Sequence, residues 1–167
     1  AAATKLLRFI TDLDERVAGR AQAGTGWQIE RIADLGIGIG DGPVEHAVEV
    51  AERARALASH HSEAHLPVLL ASSLLHDAGK AEEYRFNGRH RRFEMTERGT
   101  LLGHKHTVLE WIAAARAQHR VIVPEAHYLA LLHAITAAKG APDWLGLREP
   151  LSLDAHILSM VDRLSGQ

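Results

Sequence analysis

The sequence predicts an all-α protein, a bundle of about six helices that carries one small β-hairpin. Apolar residues recur at helical spacing along most of the chain, and proline or serine stands where several of the periodic stretches begin. Asn87-Gly88 between two short β-prone segments is a strong signal for a tight turn. The length of 167 residues suits one domain with a single core, so we predict one domain over residues 1–167.

The first half of the chain predicts a helix, an irregular connection and two further helices. Residues 1–41 hold the first helix and a glycine-rich connection, and the helix has apolar residues at the right spacing: Leu6, Ile10, Leu13 and Val17. Pro43 begins a second helix, PVEHAVEVAERARALA. Pro67 begins a third helix, PVLLASSLLHD, which is almost wholly apolar and should therefore be buried.

The remaining elements are the hairpin and three helices. The stretch EYRFNGRHRRFEM predicts the hairpin, and LLGHKHTVLEWIAAARA predicts the next helix. Pro124 begins the helix PEAHYLALLHAITAA, which Gly140 ends, and Ser152 can cap the last helix, LDAHILSMVDRLS.

Composition narrows the classes of function. The net charge of −2 argues against a strongly basic, nonspecific nucleic-acid coat, and the lack of cysteine excludes disulfides and thiolate metal sites. No apolar run approaches the roughly 20 residues of a membrane span, and no signal-peptide pattern begins the chain. We therefore expect a cytoplasmic protein without a membrane partner. Because Met95 and Met160 are its two methionines, we also expect the chain to be part of a longer polypeptide.

The stretch SSLLHDAGKAEEY places His76 and Asp77 at the end of the apolar third helix. An aspartate there faces the negative end of the helix dipole, which costs up to about 1 kcal/mol unless a positive charge is near. A bound divalent cation would supply that charge and accept a nitrogen from His76. Gly79 is predicted to adopt the left-handed cap conformation, which lets the helix end fray. The alternative is a pair that only makes hydrogen bonds.

Two further candidate ligands lie on other helices. The apolar periodicity of those helices gives no reason to expect them close to His76 and Asp77. His46 lies at the edge of the apolar arc of the second helix, where a packed or half-exposed histidine is the simpler interpretation. Asp162 lies away from the apolar stripe of the last helix, so a solvated aspartate is the default.

The order of these residues resembles the HD superfamily of metal-dependent phosphohydrolases. LLHDAGK is similar to its core motif, and TERGTLLGH, at residues 96–104, is similar to a stretch of the bacterial HD-domain exoribonucleases of the YhaM type. PVEHAVEVA and LDAHILSMVDRLSG resemble the helices that carry the first histidine and the last aspartate in that branch. The resemblance covers about residues 42–165 and implies an HD-domain helical bundle.

The resemblance implies a site with one divalent metal, which would be Mn, Fe, Co, Ni or Zn. Its expected ligands are His46, His76, Asp77 and Asp162. Asp77 would also orient a metal-activated water, and Lys80 would lie next to the substrate phosphate. His104 matches a histidine that can serve a second metal or the substrate.

Two departures from the family pattern remove histidines that a second metal would use as ligands. ITAAKG places Ala138 and Lys139 where that branch has paired histidines, and LGIGIG replaces a histidine-rich stretch upstream of His46. We therefore predict a one-metal site. One hypothesis is that the Lys139 ammonium occupies part of the vacated space, and the alternative is a surface lysine. His133 is a reserve ligand, or a buried histidine satisfied by hydrogen bonds.

Two functions follow from these observations. The first is a metal-dependent phosphohydrolase or phosphodiesterase acting on a nucleotide or an RNA end. The alternative is a catalytically degenerate HD module that binds metal or nucleotide within a larger protein. The candidate partners are a nucleotide or single-stranded RNA, and arginines on the hairpin are predicted to bind phosphate unless the hairpin is simply solvated: Arg85, Arg89, Arg91 and Arg92.

Overall fold

The computed structural model describes residues 43–118, 122–140, 144 and 146–165. Its elements, in chain order, are α1 (Pro43–Ala58), α2 (Leu66–Leu75), α3 (Lys80–Glu83), β1 (Tyr84–Asn87), β2 (Arg92–Met95), α4 (Glu97–Leu101), α5 (Gly103–Gln118), α6 (Glu125–Thr136) and α7 (Leu153–Ser165). The predicted first helix and the glycine-rich connection lie outside the described residues.

The predicted fold class is confirmed, because the described chain is mostly helical and has one two-stranded sheet. The longer helices α1, α2, α5, α6 and α7 are those that the sequence predicts. The helices α3 and α4 were not predicted, because one turn is too short to show a period. That residues 1–167 form a single domain stays a prediction. None of the described helices combines the length and the apolar character that crossing a bilayer requires.

One compact unit contains α1, α2, α6 and α7. Helix α2 packs against α6 and α7, which explains why its sequence is apolar nearly all round. His65 caps α2, since its Nδ1 accepts from the Val68 N–H at 3.3 Å, and its own N–H donates to Asp154 Oδ1 at 2.9 Å. One cluster of its core contains nine buried side chains: Val50, Ala54, Leu69, Ala134, Ala137, Ala155, Ile157, Leu158 and Val161.

The other compact unit contains α3, the hairpin, α4 and α5. The strands are antiparallel and pair Tyr84 with Met95 at one end and Asn87 with Arg92 at the other, so a loop over residues 88–91 replaces the predicted two-residue turn. Asn87 Oδ1 organises this loop, because it accepts from the Arg89 N–H at 3.0 Å. Within this loop, Arg91 has a positive φ, of 51°.

Thr96 ties the two ends of the hairpin together and begins α4. Its hydroxyl donates to the Glu82 carbonyl at 2.6 Å, and its N–H donates to the Glu83 carbonyl at 2.9 Å. The same hydroxyl oxygen accepts from the Gly99 N–H at 2.9 Å and caps the helix. The base of the hairpin is therefore held by side-chain and backbone hydrogen bonds.

The prediction for Gly79 is wrong. Its φ is −66°, in the right-handed helical region, so no left-handed cap forms. The glycine is required for a different reason, because a Cβ at this position would overlap the backbone carbonyl of His104. Positive φ occurs instead at Gly103, where it is 73°, directly before His104.

Candidate metal centre

His76 lies where α2 ends, and its ring is fixed by the backbone of the same helix. The residue is the C-cap of α2, its N–H donates to the Ser72 carbonyl, and only 6% of its surface is exposed. Nδ1 lies 2.7 Å from the Ser73 carbonyl oxygen. Because a carbonyl only accepts, Nδ1 carries a hydrogen, and in the neutral ring the lone pair is on Nε2.

His46, on α1, is held by a chain of hydrogen bonds through the side chains of Ser165 and Glu49. Its Nδ1 lies 3.1 Å from Ser165 Oγ, and the Ser165 hydroxyl donates to Glu49 Oε2 at 2.5 Å. Since the hydroxyl hydrogen points to Glu49, the Ser165 oxygen accepts the Nδ1 hydrogen of His46. The lone pair of the neutral ring is thus on Nε2, as in His76.

Asp162, on α7, meets both Nε2 atoms with one carboxylate oxygen. Oδ1 lies 3.1 Å from His46 Nε2 and 3.3 Å from His76 Nε2. When the His76 ring is an imidazolium, its hydrogen bond to Asp162 is the main cause that lowers the pKa of Asp162 to about 2, and burial acts in the opposite direction. Asp162 therefore presents an ionised carboxylate at neutral pH.

Three acceptors consequently face one point. Two neutral imidazoles with lone pairs on Nε2 would repel a carboxylate oxygen between them. Either an extra proton converts a ring to imidazolium, or a cation takes that place. The donor set of two imidazole nitrogens and a carboxylate fits a divalent transition metal.

Asp77 follows His76 directly along the chain and adds a second carboxylate. One ligand atom each from His46, His76 and Asp77 lies within 4.8 Å of the others, which makes a His/Asp group that can hold a metal ion. Asp77 is 9% exposed. Its Oδ2 accepts from Lys80 Nζ at 2.6 Å, so the predicted lysine lies beside the predicted ligand.

His104 lies between two buried carboxylates at the start of α5. Its Nδ1 is 2.9 Å from Glu83 Oε2, and its Nε2 is 3.4 Å from Asp77 Oδ1. Glu83 is 9% exposed, although periodicity gives no reason to bury it. Sequence reasoning missed Glu83, because a single acidic residue in KAEE carries no signal of its own.

The other predicted site residues lie on α6, in the turn after it and on the hairpin. His133 Nε2 accepts from the Leu151 N–H at 2.9 Å, and burial, with a smaller effect of the His156 charge, lowers the pKa of His133. Lys139 is exposed in the turn that follows α6. The four arginines of the hairpin are also exposed: Arg85, Arg89, Arg91 and Arg92. Their proposed roles stay predictions.

Two partners of His46 were not anticipated. Glu49 lies three residues after His46, so both side chains lie on one face of α1, and this spacing was a usable signal. Ser165 lies 119 residues from His46, and only the packed helices show that they meet.

The fold and the site define a mostly helical protein with a His/Asp group suited to a metal ion. In comparisons with known proteins, the chain is 30% identical over 122 residues to the 3'-5' exoribonuclease YhaM of Bacillus licheniformis. The aligned region covers 73% of this chain but only 37% of that relative. No family model matches the chain, and no solved structure matches it.

Proposed function

We propose that this protein is a metal-dependent phosphohydrolase of the HD superfamily, which hydrolyses a phosphate ester of a nucleotide or of an RNA end. The observation that carries the proposal is the convergence of His46 Nε2 and His76 Nε2 on Asp162 Oδ1, at 3.1 and 3.3 Å. The similarity to a 3'-5' exoribonuclease supports phosphodiester hydrolysis as the reaction.

The proposed ligands of one divalent metal are His46, His76, Asp77 and Asp162. Imidazole and carboxylate together suit Mn, Fe, Co, Ni or Zn. When bound, such an ion supplies a Lewis acid that acidifies water and polarises a phosphoryl oxygen. The fixed Nδ1 hydrogen of each histidine keeps its Nε2 available as a ligand.

Residues next to Asp77 would act on the substrate. The Lys80 ammonium is 37% exposed and lies 2.6 Å from Asp77 Oδ2, so it can also meet a phosphoryl oxygen and stabilise its negative charge. Asp77 can accept a hydrogen bond from the attacking water and so orient it. His104, whose Nδ1 hydrogen is donated to Glu83, directs Nε2 towards Asp77 and can contact a second metal or the substrate.

The hairpin is the proposed contact for a single-stranded RNA backbone. Its four arginines are exposed, and guanidinium groups bind phosphate through several donors at once. We also propose that the protein acts in the cytoplasm.

A degenerate HD module that binds metal or nucleotide without turnover is the second candidate. Ala138 and Lys139 occupy the positions of paired histidines in the resembled branch, and the Lys139 side chain is exposed. Such a module would bind metal or nucleotide but would not hydrolyse phosphate esters.

Metal analysis and a hydrolysis assay separate the two candidates. Elemental analysis of the purified protein is expected to find one transition metal per chain, and bis-p-nitrophenyl phosphate and labelled single-stranded RNA are expected to be hydrolysed with added Mn²⁺. Asp77→Asn should abolish turnover, whereas the control Glu52→Gln, at an exposed position of α1, should not. Bound metal without turnover would support the module, and absence of metal would contradict the metal-dependent enzyme.

A further inference from the structure

We infer that Glu49 and Ser165 are positioning residues, which fix the tautomer and the orientation of His46 for metal binding. The inference rests on the proposed metal site and concerns residues that do not contact the metal themselves. Its basis is the chain of hydrogen bonds that runs from Glu49 through the Ser165 hydroxyl to the imidazole of His46.

The direction of these hydrogen bonds follows from which groups can donate and which can only accept. An ionised carboxylate only accepts hydrogen bonds, so the contact of 2.5 Å between Ser165 Oγ and Glu49 Oε2 uses the hydroxyl hydrogen. The Ser165 oxygen then has only lone pairs to offer His46 Nδ1, at 3.1 Å. In its neutral form, His46 must therefore carry its hydrogen on Nδ1 and its lone pair on Nε2, and in its protonated form Nε2 donates a second hydrogen to Asp162 Oδ1.

The helices place these groups on both sides of one ring. His46 and Glu49 lie one turn apart on α1, and Asp162 and Ser165 lie one turn apart on α7. The ring of His46 thus spans from Ser165 at Nδ1 to Asp162 at Nε2. A ring flip would place carbon atoms against both partners, so the Ser165 contact also fixes the orientation.

The two histidines differ in how their tautomers are fixed. His76 donates to the Ser73 backbone carbonyl, which no side-chain substitution removes. His46 depends on two side chains, and a carboxylate behind a hydroxyl makes the imidazole a more basic ligand. The metal affinity of the site should therefore respond to Glu49 and Ser165 through His46.

Calorimetric titration with Mn²⁺ tests the inference on the purified chain. Ser165→Ala and Glu49→Gln should each weaken Mn²⁺ binding by about 10-fold to 100-fold, the range typical of residues behind a metal ligand. Ser165→Thr keeps the hydroxyl and should bind nearly as wild type does. Arg53→Ala, which removes an ion-pair partner of Glu49 but keeps the carboxylate, and Ser159→Ala, elsewhere on α7, are the controls.

A second readout reports the tautomer directly. Two-bond ¹H–¹⁵N correlation spectra of the metal-free protein, recorded at alkaline pH, should show the hydrogen of neutral His46 on Nδ1 in wild type and Ser165→Thr. A mixture of tautomers is expected in Ser165→Ala. If the variant keeps the melting temperature of wild type, a general loss of folding cannot explain a change in the position of the His46 hydrogen.

The outcomes separate this inference from the proposed function. Wild-type protein that binds Mn²⁺ while Ser165→Ala binds equally well, with His46 still on the Nδ1 tautomer, would overturn the positioning role alone. Wild-type protein without affinity for Mn²⁺, Co²⁺ or Zn²⁺ would overturn both the inference and the proposed metal centre. Loss of affinity in Ser165→Ala together with Ser165→Thr would also contradict a role of the hydroxyl.

Discussion

His46 and Asp162 are 116 residues apart in the chain, yet His46 Nε2 lies 3.1 Å from Asp162 Oδ1. The same oxygen lies 3.3 Å from His76 Nε2, so one carboxylate serves imidazoles from two other segments. A contact shared in this way brings the last helix into the site and makes Asp162 the residue on which the site most depends.

Asp162→Asn should therefore weaken binding of Mn²⁺ by at least about 100-fold, more than the typical loss for a residue behind a metal ligand. The amide keeps the shape of the side chain but removes the negative charge that faces both imidazoles. Calorimetric titration measures the change, and Glu125→Gln, an exposed acidic residue in the first turn of α6, is the control. Equal affinities of Asp162→Asn and wild type would show that Asp162 is not a ligand.

Metal binding should release protons, because the site can hold a proton wherever it can hold a cation. The affinity for Mn²⁺ should rise as the pH increases, because protons compete with the cation for the ligand atoms. Titrations in two buffers of different ionisation enthalpy give the number of protons released per metal. A pH-independent affinity with no released proton would contradict the convergence of acceptors on Asp162 Oδ1.

Gly79→Ala should destabilise the protein by about 1–3 kcal/mol, the usual cost of forcing an extra group into a packed position. The added Cβ would overlap the His104 carbonyl, so the backbone must move. Gly88→Ala, on the hairpin loop, is the matched control, because a Cβ there has no neighbour within 4 Å among the described residues. Urea unfolding measures both, and similar free energies of unfolding for the two variants would contradict the close approach.

His133 should make stability depend on pH. Its pKa is lowered in the folded protein, chiefly by burial, so the unfolded chain binds the proton more readily. The contribution of neutral His133 is present above the unfolded pKa of about 6.5 and is lost as the pH falls below it towards the folded pKa. A protonated Nε2 could also no longer accept the Leu151 N–H.

His133→Leu tests this effect by comparison with wild type. The difference between the free energies of unfolding of the two proteins, with wild type relatively more stable at higher pH, should grow between about pH 5 and pH 7.5. Urea titrations across that range in the presence of chelator measure it. A difference that does not vary with pH would mean that His133 has the same proton affinity in both states.

Replacing Arg89 and Arg91 together by alanine should weaken binding of single-stranded RNA and make it less sensitive to salt. Each lost phosphate contact reduces the slope of log affinity against log salt by somewhat less than one unit on a single strand. Arg55→Ala plus Arg163→Ala, at exposed positions on α1 and α7, is the control with the same change in charge. Equal slopes for the two double variants would show that these hairpin arginines do not bind the RNA backbone.

The sequence predicts most of the helices because proline and serine mark their starts and apolar residues recur on one face. It predicts α2 particularly well, since a helix buried all round needs a wholly apolar sequence. Helices α3 and α4 are too short for such a pattern. The close approach that requires Gly79 depends on the backbone of His104, 25 positions further along, and no local rule reports it.

The residues of the candidate site likewise include some that the sequence predicts and some that it does not. His76 and Asp77 could be selected from the residues alone, because an aspartate at a helix end violates the dipole rule. Asp162 could not, since it lies off the apolar stripe with 41% of its side chain exposed, and only the resemblance pointed to it. Glu83, Glu49 and Ser165 depend on contacts between separate segments, which periodicity within one helix does not describe.

Thr96 has a consequence for how this protein can diverge. Because its hydroxyl and N–H hold the carbonyls of Glu82 and Glu83, the chain enters and leaves residues 84–95 at one clamped junction. Strands inserted, shortened or exchanged beyond that junction leave the carboxylate of Glu83 beside His104. The hairpin can therefore change in length and sequence while Glu83 and His104 keep their places.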